Sequence, residues 1–499
     1  MNFKLILGLV VLIFSSITYA QSEEHTARYF DSIKSDQSKL EAFLRDFPKG
    51  GDLHSHESGA SLSENLIKYA ANDNLCINKT TYAAFVNPQC QKEDLLETAV
   101  LDSGFYNQLI DQWSMRHFNA NTAHQTGHDH FFATFGKFGA VTHNHRGNIL
   151  AEISQRAADQ NELYLELMDT PDGKEAAMLG KQIGWQADFA TMRAKLLAAE
   201  FAKIAADGSK NLNADEAAMR SILACDSSQP QSGCQVKIRY LYQVLREQPP
   251  EAVFAQLLMG FEMATKDKRI VGLNMVQPED GVVSMRDYKL QMQMIGYLRQ
   301  FYPSVSVSLH AGELNAALVP AEGLTFHVND AVNVAKADRI GHGVDVMHET
   351  NADALLKTMA QKHVMVEINL TSNAGILNIV GKEHPLLAYL QYGVPVALST
   401  DDEGVTRSNL THEYVRAVKT YQFSYQVLKQ FSRNSLRYAF LPGASLWVDE
   451  NYKQINPACA KDKIGAQIST SCTEFLKQNE KAALQWALEN KFAAFESHY

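Results

Sequence analysis

The sequence lacks several signatures that would assign the chain to a common class. It contains no Cys-x-x-Cys, so a cysteine-ligated zinc site is not expected. No strand-like run leads into Gly-x-Gly-x-x-Gly and there is no P-loop, which argues against the usual dinucleotide and nucleoside-triphosphate sites. Basic residues are in the minority, 46 against 56 acidic residues, for a net charge of −10. This balance argues against nucleic acid or an anionic membrane surface as a partner and favours a small neutral or cationic ligand.

Long apolar runs are also scarce. The one at the start, Leu5 to Phe14, follows Lys4 and precedes the small-residue site Thr18-Tyr19-Ala20. This order is typical of a cleaved export signal over residues 1–20, and the run is too short to span a bilayer. No later stretch is apolar enough for a membrane span. We therefore expect an exported, non-membrane chain over residues 21–499, either periplasmic or secreted.

Six cysteines follow the signal and fall into three local couples. In an oxidising compartment, such couples indicate disulfides that staple loops, whereas free thiols are the alternative. Six cysteines allow fifteen pairings, so the pairing rests on proximity alone. It predicts Cys76–Cys90, Cys225–Cys234 and Cys459–Cys472.

Eight short apolar or β-branched runs alternate with helical patterns. The first lies near Asp52, and the others are 163–168, 236–241, 270–275, 305–309, 339–341, 364–368 and 394–398. This alternation predicts an α/β fold, a (β/α)₈ TIM barrel with extra N- and C-terminal helices and disulfide-stapled insertions. A doubly wound open sheet is the alternative architecture. The barrel would be a single domain over 21–499, with insertions near 73–92, 207–235 and 456–472.

The N-terminal segment of the mature chain also has a helical pattern. Residues 24–46 are predicted to be helical, ending before Pro48 and the paired glycines that follow. Two interpretations of this segment stay open. It could form an exposed helix that supports a homodimer, or it could close the bottom of the barrel.

Polar motifs stand at the ends of four predicted strands. His54 and His56 end the first strand, and at a spacing of two residues they share one face. His310 ends the fifth strand, His342 the sixth, and the pair Asp401-Asp402 follows the eighth. Active sites of such barrels lie at this end of the strands. Taken singly, each motif could be a tight turn, a helix cap or a satisfied histidine, but four in order predict one site.

Together these motifs supply what metal-assisted hydrolysis needs. Three imidazoles and one carboxylate form a usual ligand set for catalytic zinc, with a position left for water. Glu313, just beyond His310 and a glycine, could act as a general acid or base. His342 could orient the hydroxide or stabilise developing charge, and one of Asp401 and Asp402 could bind metal while the other accepts a proton or a hydrogen bond.

The motif set resembles the adenosine deaminase family of the metal-dependent amidohydrolases, over roughly residues 45–440. The stretches that carry the resemblance are Pro48 to His56, Ser308 to Glu313, Arg339 to Gly343, Thr371 to Asn373 and Ser399 to Asp402. The export signal and cysteines are more similar to its extracellular branch, the adenosine deaminase-related growth factors. The resemblance implies that one Zn²⁺ binds to His54, His56, His310 and Asp401. It further implies that Glu313 protonates the purine ring nitrogen, His342 positions the hydroxide, and Asp402 bonds the other face of the ring.

Two positions depart from the family pattern. Ser58 stands where cytosolic adenosine deaminases carry an Asp thought to hold the ribose, and Gln277 stands where the family usually carries a glycine that meets the purine. Both are predicted to touch substrate. Glu279 and Asp280 match the acidic pair of the family motif and are predicted at the edge of the pocket or behind it.

The resemblance implies hydrolytic deamination of adenosine or a related aminopurine nucleoside, with release of ammonia. Because of the two departures, two alternatives stay open. One is a barrel metallohydrolase acting on another amine or amide, and the other is a non-catalytic extracellular protein that binds nucleosides or signals.

A second group of histidines lies in a predicted helical region. They are His117, His124, His128, His130, His143 and His145. A second metal site or a pH sensor is one interpretation, and surface or helix-end histidines are the other. Nearby aromatic residues such as Phe131 are predicted in the core, or in a lid over the substrate if the family resemblance holds.

Overall fold

The computed structural model describes residues 22–499, so the predicted export signal over 1–20 lies outside the described residues. Eight strands form the central sheet, one at each predicted position. They are β1 (Gly50–His56), β2 (Glu162–Asp169), β3 (Lys237–Leu245), β4 (Ile270–Val276), β5 (Ser306–Ala311), β6 (Arg339–His342), β7 (Met365–Ile368) and β8 (Val396–Leu398). A separate two-stranded ribbon pairs Cys76–Ile77 with Ala84–Phe85.

The eight strands are parallel and follow the chain order from β1 to β8. The sheet closes where β8 ends. The Asp401 amide donates to the His54 carbonyl at 2.8 Å, and the His56 amide donates to the Asp401 carbonyl at 3.1 Å. Below this contact, the Asp52 carboxylate accepts from the backbone amide of Thr400 at 3.2 Å and from its hydroxyl. The TIM barrel prediction is therefore confirmed.

Helices surround the barrel and extend both ends of the chain. Those before β3 are 22–33, Gln37–Asp46, Glu57–Ala60, Ser63–Asn72, Leu96–Ala99, Ser103–Gln112, Ala120–Ala123, Gly127–Thr142, Arg146–Asp159, Glu175–Ile183, Phe189–Ala198 and Phe201–Ile222. Those after β3 are Pro250–Lys266, Val282–Leu298, His327–Asn333, Ala352–Lys362, Leu370–Leu377, Leu386–Tyr392, Glu403–Thr406, Leu410–Tyr421, Tyr425–Arg437, Thr470–Gln478 and Glu480–His498. Short 3₁₀ turns occupy Lys92–Asp94, Ser232–Gln235, Ala321–Leu324, Val346–His348 and Gly381–Glu383.

The N-terminal helical segment is not continuous. It breaks at 34–36, where the Asp36 side chain accepts from the Lys39 amide at 3.1 Å and starts a second helix. The aromatic rings of Phe43 and Phe47, at the end of this segment, pack on Tyr425 and Phe495 beside the start of β1. This face is therefore buried within the chain, as expected of a segment that closes the lower end of the barrel. A role in dimerisation stays a prediction.

The three predicted disulfides are present, with Cα–Cα distances of 5.9, 5.5 and 4.5 Å for Cys76–Cys90, Cys225–Cys234 and Cys459–Cys472. The first closes the ribbon insertion and the last staples the loop before the C-terminal helices. The polar insertion near 207–235 is partly helical, because helix Phe201–Ile222 occupies its first half. Within residues 22–499, we find no helix with the length and apolarity of a membrane span.

Candidate active site

Four ligand atoms converge at the C-terminal end of the barrel. His54 Nε2 and His56 Nε2 lie 3.1 and 3.3 Å from His310 Nε2. Asp401 Oδ1 lies 3.5 Å from His54 Nε2 and 3.2 Å from His56 Nε2. A tetrahedral zinc with Zn–N bonds of about 2.0–2.1 Å separates its ligand atoms by about 3.3 Å. The four observed spacings are close to this value, so these atoms can share one metal ion.

The same three histidines are held in one tautomer. Each ring places Nδ1 on a side-chain oxygen, so Nδ1 carries the proton and donates it. The pairs are His54 with Glu367 at 2.7 Å, His56 with Gln243 at 3.1 Å, and His310 with Asn274 at 2.9 Å. Each Nε2 is then left with a lone pair directed at the others. The lone pairs of His54 and His56 both face that of His310 at 3.1 and 3.3 Å, and a cation between them satisfies all three, which supports a metal site from the donor chemistry.

The electrostatics of the cluster also favour a positive charge at its centre. Burial opposes the charged form of His54, yet the carboxylates of Asp401 and Glu367 outweigh it and raise its pKa to about 10. Burial likewise opposes ionisation of Asp401, but His54 and His56 lower the pKa of its carboxyl well below the usual range. Either a proton or a metal ion can supply the positive charge that these groups favour.

A buried ion network supports the ligands from inside the barrel. Glu367 on β7 contacts His54 with Oε2 and accepts from Arg339 Nε with Oε1 at 2.6 Å. The Arg339 guanidinium also contacts Glu166 on β2 at 2.5 Å. Burial raises the pKa of Glu367, but Arg339 and His54 overcome it and lower this pKa to about 2. Our sequence reasoning missed Glu367, although an acidic residue inside the apolar run 364–368 was a signal, because buried charges are rarely unpaired.

Replacing the Glu367 carboxylate should weaken metal binding. For Glu367→Gln we expect the zinc dissociation constant to rise about 10- to 100-fold, because an uncharged amide orients and polarises the His54 ring less well. Competition with a chromogenic chelator measures this constant. Glu166→Gln is the matched control, since it changes the other carboxylate on Arg339 without touching a histidine. Equal weakening in both variants would mean that the effect comes from the buried arginine instead.

The predicted general acid, Glu313, lies on a tight loop beyond β5. Gly312 has a φ of +75°, and a Cβ there would lie 2.4 Å from Asp345, so glycine is required. The Glu279 carboxylate accepts from the amides of Gly312 at 3.0 Å and Glu313 at 2.8 Å and fixes the loop. Burial, followed by the charges of Asp401 and Glu279, raises the pKa of Glu313 well above its usual range. This shift favours the protonated, neutral form of Glu313 more than in an ordinary carboxyl group.

His342 and Asp402 lie beside the metal cluster. His342 Nε2 is 3.8 Å from Asp401 Oδ2, and burial lowers the pKa of His342 to about 3, so its ring is neutral. Burial and Asp401 raise the pKa of Asp402 well above its usual range, against the opposing charge of His56. Gly59 closes over Asp402, since a Cβ at Gly59 would lie 1.6 Å from Asp402 Oδ1.

Backbone strain marks several of these positions. Gln277, His342 and Asp401 have φ values of +82°, +68° and +66°, a region that non-glycine residues seldom adopt. Such residues concentrate at functional sites, where the surrounding structure holds them. For Asp401 the holding contacts are the backbone hydrogen bonds that close the barrel.

A cavity of about 350 Å³ opens onto the cluster. Besides His56, His310, Glu313, Asp401 and Asp402, its walls are Ser58, Phe131, Phe132, Phe135, Gln243, Leu245, Val276, Gln277, Pro278 and Ile376. The three phenylalanines come from helix Gly127–Thr142, which covers the mouth. This volume is within the range of small-molecule sites.

The four predicted substrate-binding residues divide into two groups. Ser58 and Gln277 line the cavity. Glu279 instead holds the Glu313 loop and accepts from His327 Nδ1 at 2.6 Å. Asp280 contacts His128 Nε2 of the covering helix at 2.9 Å. Of the predicted set, the cavity walls therefore include Ser58 and Gln277, whereas Glu279 and Asp280 support them from outside.

The second histidine group does not form a metal site. Within residues 22–499, groups of three or more metal-binding side chains lie only at the barrel mouth. His128 contacts Asp280 and Asp129, His145 contacts Asp73, and His130 stacks on Phe118. These residues sit at helix ends and helix contacts, in agreement with the simpler interpretation of this group.

Comparison with known proteins agrees with the geometry. A sequence model of the family described as adenosine deaminase matches residues 118–446, well over half of the 499-residue chain. The chain belongs to the adenosine deaminase family. The match begins after β1, so the position of His54 and His56 beside His310 and Asp401 is a finding of the structure.

Curated members of this family match a shorter stretch. An adenosine deaminase of Enterococcus faecalis is 35% identical over 140 residues, which are 28% of this chain and 38% of that protein. One from Aliivibrio fischeri (strain ATCC 700601 / ES114) is 35% identical over 136 residues, 27% of this chain and 38% of that protein. The chain thus matches 38% of the length of these relatives.

Solved structures share the fold over a longer range. The N6-mAMP deaminase of Arabidopsis superposes with a TM-score of 0.54 at 19% identity, covering 80% of this chain and 96% of that one. A cog1816 amidohydrolase from Burkhoderia ambifaria, solved with bound Zn, gives a TM-score of 0.50 at 16% identity and covers 81% and 88%. At these identities the likeness establishes the barrel fold of the adenosine deaminase family, not a substrate.

Proposed function

We propose that this chain is a zinc-dependent hydrolase that deaminates adenosine or a related aminopurine nucleoside to the inosine-type product and ammonia. The observation that carries the proposal is a cluster of side chains that could hold a metal beside the buried carboxyl group of Glu313, both opening into one cavity. The family name of the curated relatives supports the same chemistry.

In this proposal His54, His56, His310 and Asp401 hold one zinc ion. When bound, zinc acts as a Lewis acid that activates water for attack. Their Nδ1 partners, Glu367, Gln243 and Asn274, keep the three Nε2 atoms available. A further supporting contact comes from the Ser372 hydroxyl, which donates to Asp401 Oδ2 at 2.6 Å and leaves Oδ1 directed at the histidines.

Glu313 is the proposed proton donor. The raised pKa of Glu313 favours its protonated form, which can deliver a proton to the purine ring nitrogen as the amine-bearing carbon is attacked. His342, a neutral imidazole, orients the attacking oxygen. Asp402 accepts a hydrogen bond or a proton from the opposite side, and Gly59 leaves it the necessary room.

The purine would meet a wall of amide donors. Gln277 Oε1 accepts from the Glu247 amide at 2.9 Å, and Gln243 Oε1 accepts from His56 Nδ1 at 3.1 Å. Both amide oxygens are thus engaged, and the two NH₂ groups remain to bind acceptor atoms of a substrate. Ser58 adds a hydroxyl without charge. This wall suits ring nitrogens and ribose oxygens, in agreement with a nucleoside.

We also propose that the chain is exported, to the periplasm or outside the cell. The three disulfides support an oxidising compartment, where such bonds persist. The sequence pattern of residues 1–20 gives independent support.

A second candidate function follows from Ser58 and Gln277. These two residues change the side chains that line the pocket relative to the family pattern, so the same metal centre could act on another amine or amide. A non-catalytic nucleoside-binding protein is the third candidate, and it gives no physical reason for the full ligand set to sit beside Glu313 and His342.

Ammonia release from the purified, zinc-loaded chain decides among these functions. The panel is adenosine, 2′-deoxyadenosine, adenine, AMP, guanosine and cytidine. We expect release from adenosine or 2′-deoxyadenosine. Release from another member alone would make Ser58 and Gln277 the determinants of a different specificity. Tight adenosine binding without any release would favour the non-catalytic candidate.

A further inference from the structure

We infer that His384 and Asn373 are positioning residues that hold His342 in the tautomer with its proton on Nε2. His342 is then a hydrogen-bond donor to the reacting oxygen and not a metal ligand. The consequence for turnover rests on the proposed function, but the tautomer itself does not.

The hydrogen bonds that run from Leu386 through His384 and Asn373 to His342 are called the relay here. It begins at a helix N-terminus. The backbone amide of Leu386 donates to His384 Nδ1 at 3.2 Å, so Nδ1 of this ring is an acceptor. His384 is buried, which lowers its pKa to about 4 and keeps the ring neutral. Its single proton therefore lies on Nε2. That nitrogen is 3.1 Å from Asn373 Oδ1 and donates to it.

The next step fixes the Asn373 amide. Because Oδ1 accepts from His384, the NH₂ group faces the opposite way, towards His342 Nδ1 at 2.9 Å. A second amide, Asn369 Nδ2, approaches the same nitrogen at 3.5 Å. Asn373 and His342 are both 0% exposed, so water does not compete for these bonds. Glu313 Oε1 also lies near this nitrogen but farther away, at 3.5 Å. Its closest partner is the Asn373 NH₂ group, so His342 Nδ1 is an acceptor and the proton lies on Nε2.

This tautomer is opposite to that of the three ligand histidines. Distance alone does not exclude His342 as a ligand, since His54, His310, His342 and Asp401 offer ligand atoms within 4.8 Å of one another. His54 and His310 present lone pairs, whereas His342 presents an N–H. The hydrogen-bond partners on the far side of each ring therefore divide the histidines into ligands and one donor.

Among residues 22–499, this donor has no hydrogen-bond partner. His342 Nε2 is buried without a hydrogen bond and lies 3.8 Å from Asp401 Oδ2. A buried N–H left without an acceptor is costly. The atom that enters the site, an oxygen of water or of the reacting group, supplies that acceptor. His384 thus acts on the reaction through Asn373 without touching the substrate.

The relay is testable by reversing it with one isosteric change. In Asn373→Asp, a carboxylate replaces the NH₂ group and accepts from His342, which moves the proton to Nδ1. We expect ¹⁵N NMR of the zinc-loaded, histidine-labelled chain to show the Nε2–H tautomer for His342 in the wild type and the Nδ1–H tautomer in Asn373→Asp. A His342→Gln spectrum assigns the signals. We expect kcat to fall about 10²- to 10⁴-fold with a smaller change in KM, as for other reversed catalytic histidines.

Conservative and disruptive changes at His384 complete the test. His384→Gln retains an N–H donor towards Asn373 and should keep both the wild-type tautomer and most of kcat. His384→Leu removes the donor and should lose both. These variants also decide the question if Asn373→Asp does not fold.

Each outcome has a distinct meaning. An Nδ1–H tautomer in the wild type, or equal behaviour of His384→Gln and His384→Leu, would overturn the relay. A reversed tautomer with unchanged kcat would overturn its role in turnover. A wild-type chain that shows the Nε2–H tautomer but releases no ammonia would overturn the proposed function and leave the relay standing.

Discussion

Glu313→Gln should retain zinc and lose about 10²- to 10⁴-fold in kcat, the usual contribution of proton delivery by a positioned side chain. The raised pKa of Glu313 favours its carboxylic acid form, which is the form that can donate a proton. Glutamine has the same shape and donates a hydrogen bond, but it cannot release the proton. Binding of a purine should therefore survive while the chemical step slows.

The measurement is steady-state ammonia release together with zinc content per chain. Glu349→Gln is a matched control, because burial also raises the pKa of this acid, to about 7, and its side chain does not line the cavity. We expect that control to keep full turnover. Wild-type activity in Glu313→Gln would remove Glu313 from the mechanism, and loss of zinc in it would show that the two roles were not separated.

The barrel could be predicted because its pattern is local. Each strand is a short apolar run, and each site motif directly follows one, so chain order alone brings His54, His310, His342 and Asp401 to one edge. Their shared location did not depend on knowing any long-range contact. The local cysteine couples were predictable for the same reason.

The partners behind the ligands could not be chosen in this way. Glu367 meets His54 across 313 positions of sequence, and Gln243 meets His56 across 187. These contacts depend on the stagger of the closed barrel, which decides which inward-facing side chains share a layer. Sequence reasoning sees a polar residue in an apolar strand but not the ring that it will meet.

Loop direction could be predicted only in part. The sequence left open whether Glu279 and Asp280, two and three positions after the cavity-lining Gln277, lie at the edge of the pocket or behind it, and both side chains support the cavity from outside. The left-handed φ of +82° at Gln277 turns the chain there. A Gln gives no sequence signal for that conformation, which glycine or asparagine would have given.

Asp401→Asn should abolish zinc retention and, with it, turnover. The change replaces a charged ligand by a neutral amide of the same shape, so one metal bond and the anionic charge of the site are lost together. The backbone conformation at residue 401 should tolerate this change. Asp401 has a φ of +66°, and asparagine adopts this region at least as readily as aspartate. The hydrogen bonds that close the barrel use only backbone atoms of this residue and remain available.

Zinc content after dialysis and ammonia release are the two readouts. Loss of a residue that only supports a ligand typically weakens metal affinity about 10- to 100-fold. We expect the zinc dissociation constant of Asp401→Asn to rise by more than this. Asp402→Asn is the matched control one residue away. It removes the same group, and its carboxylate lies beside Gly59, so we expect it to keep zinc while turnover falls. Zinc retention in Asp401→Asn, or equal loss in both variants, would contradict the ligand assignment, because Asp401 Oδ1 lies 3.5 Å from His54 Nε2 and 3.2 Å from His56 Nε2.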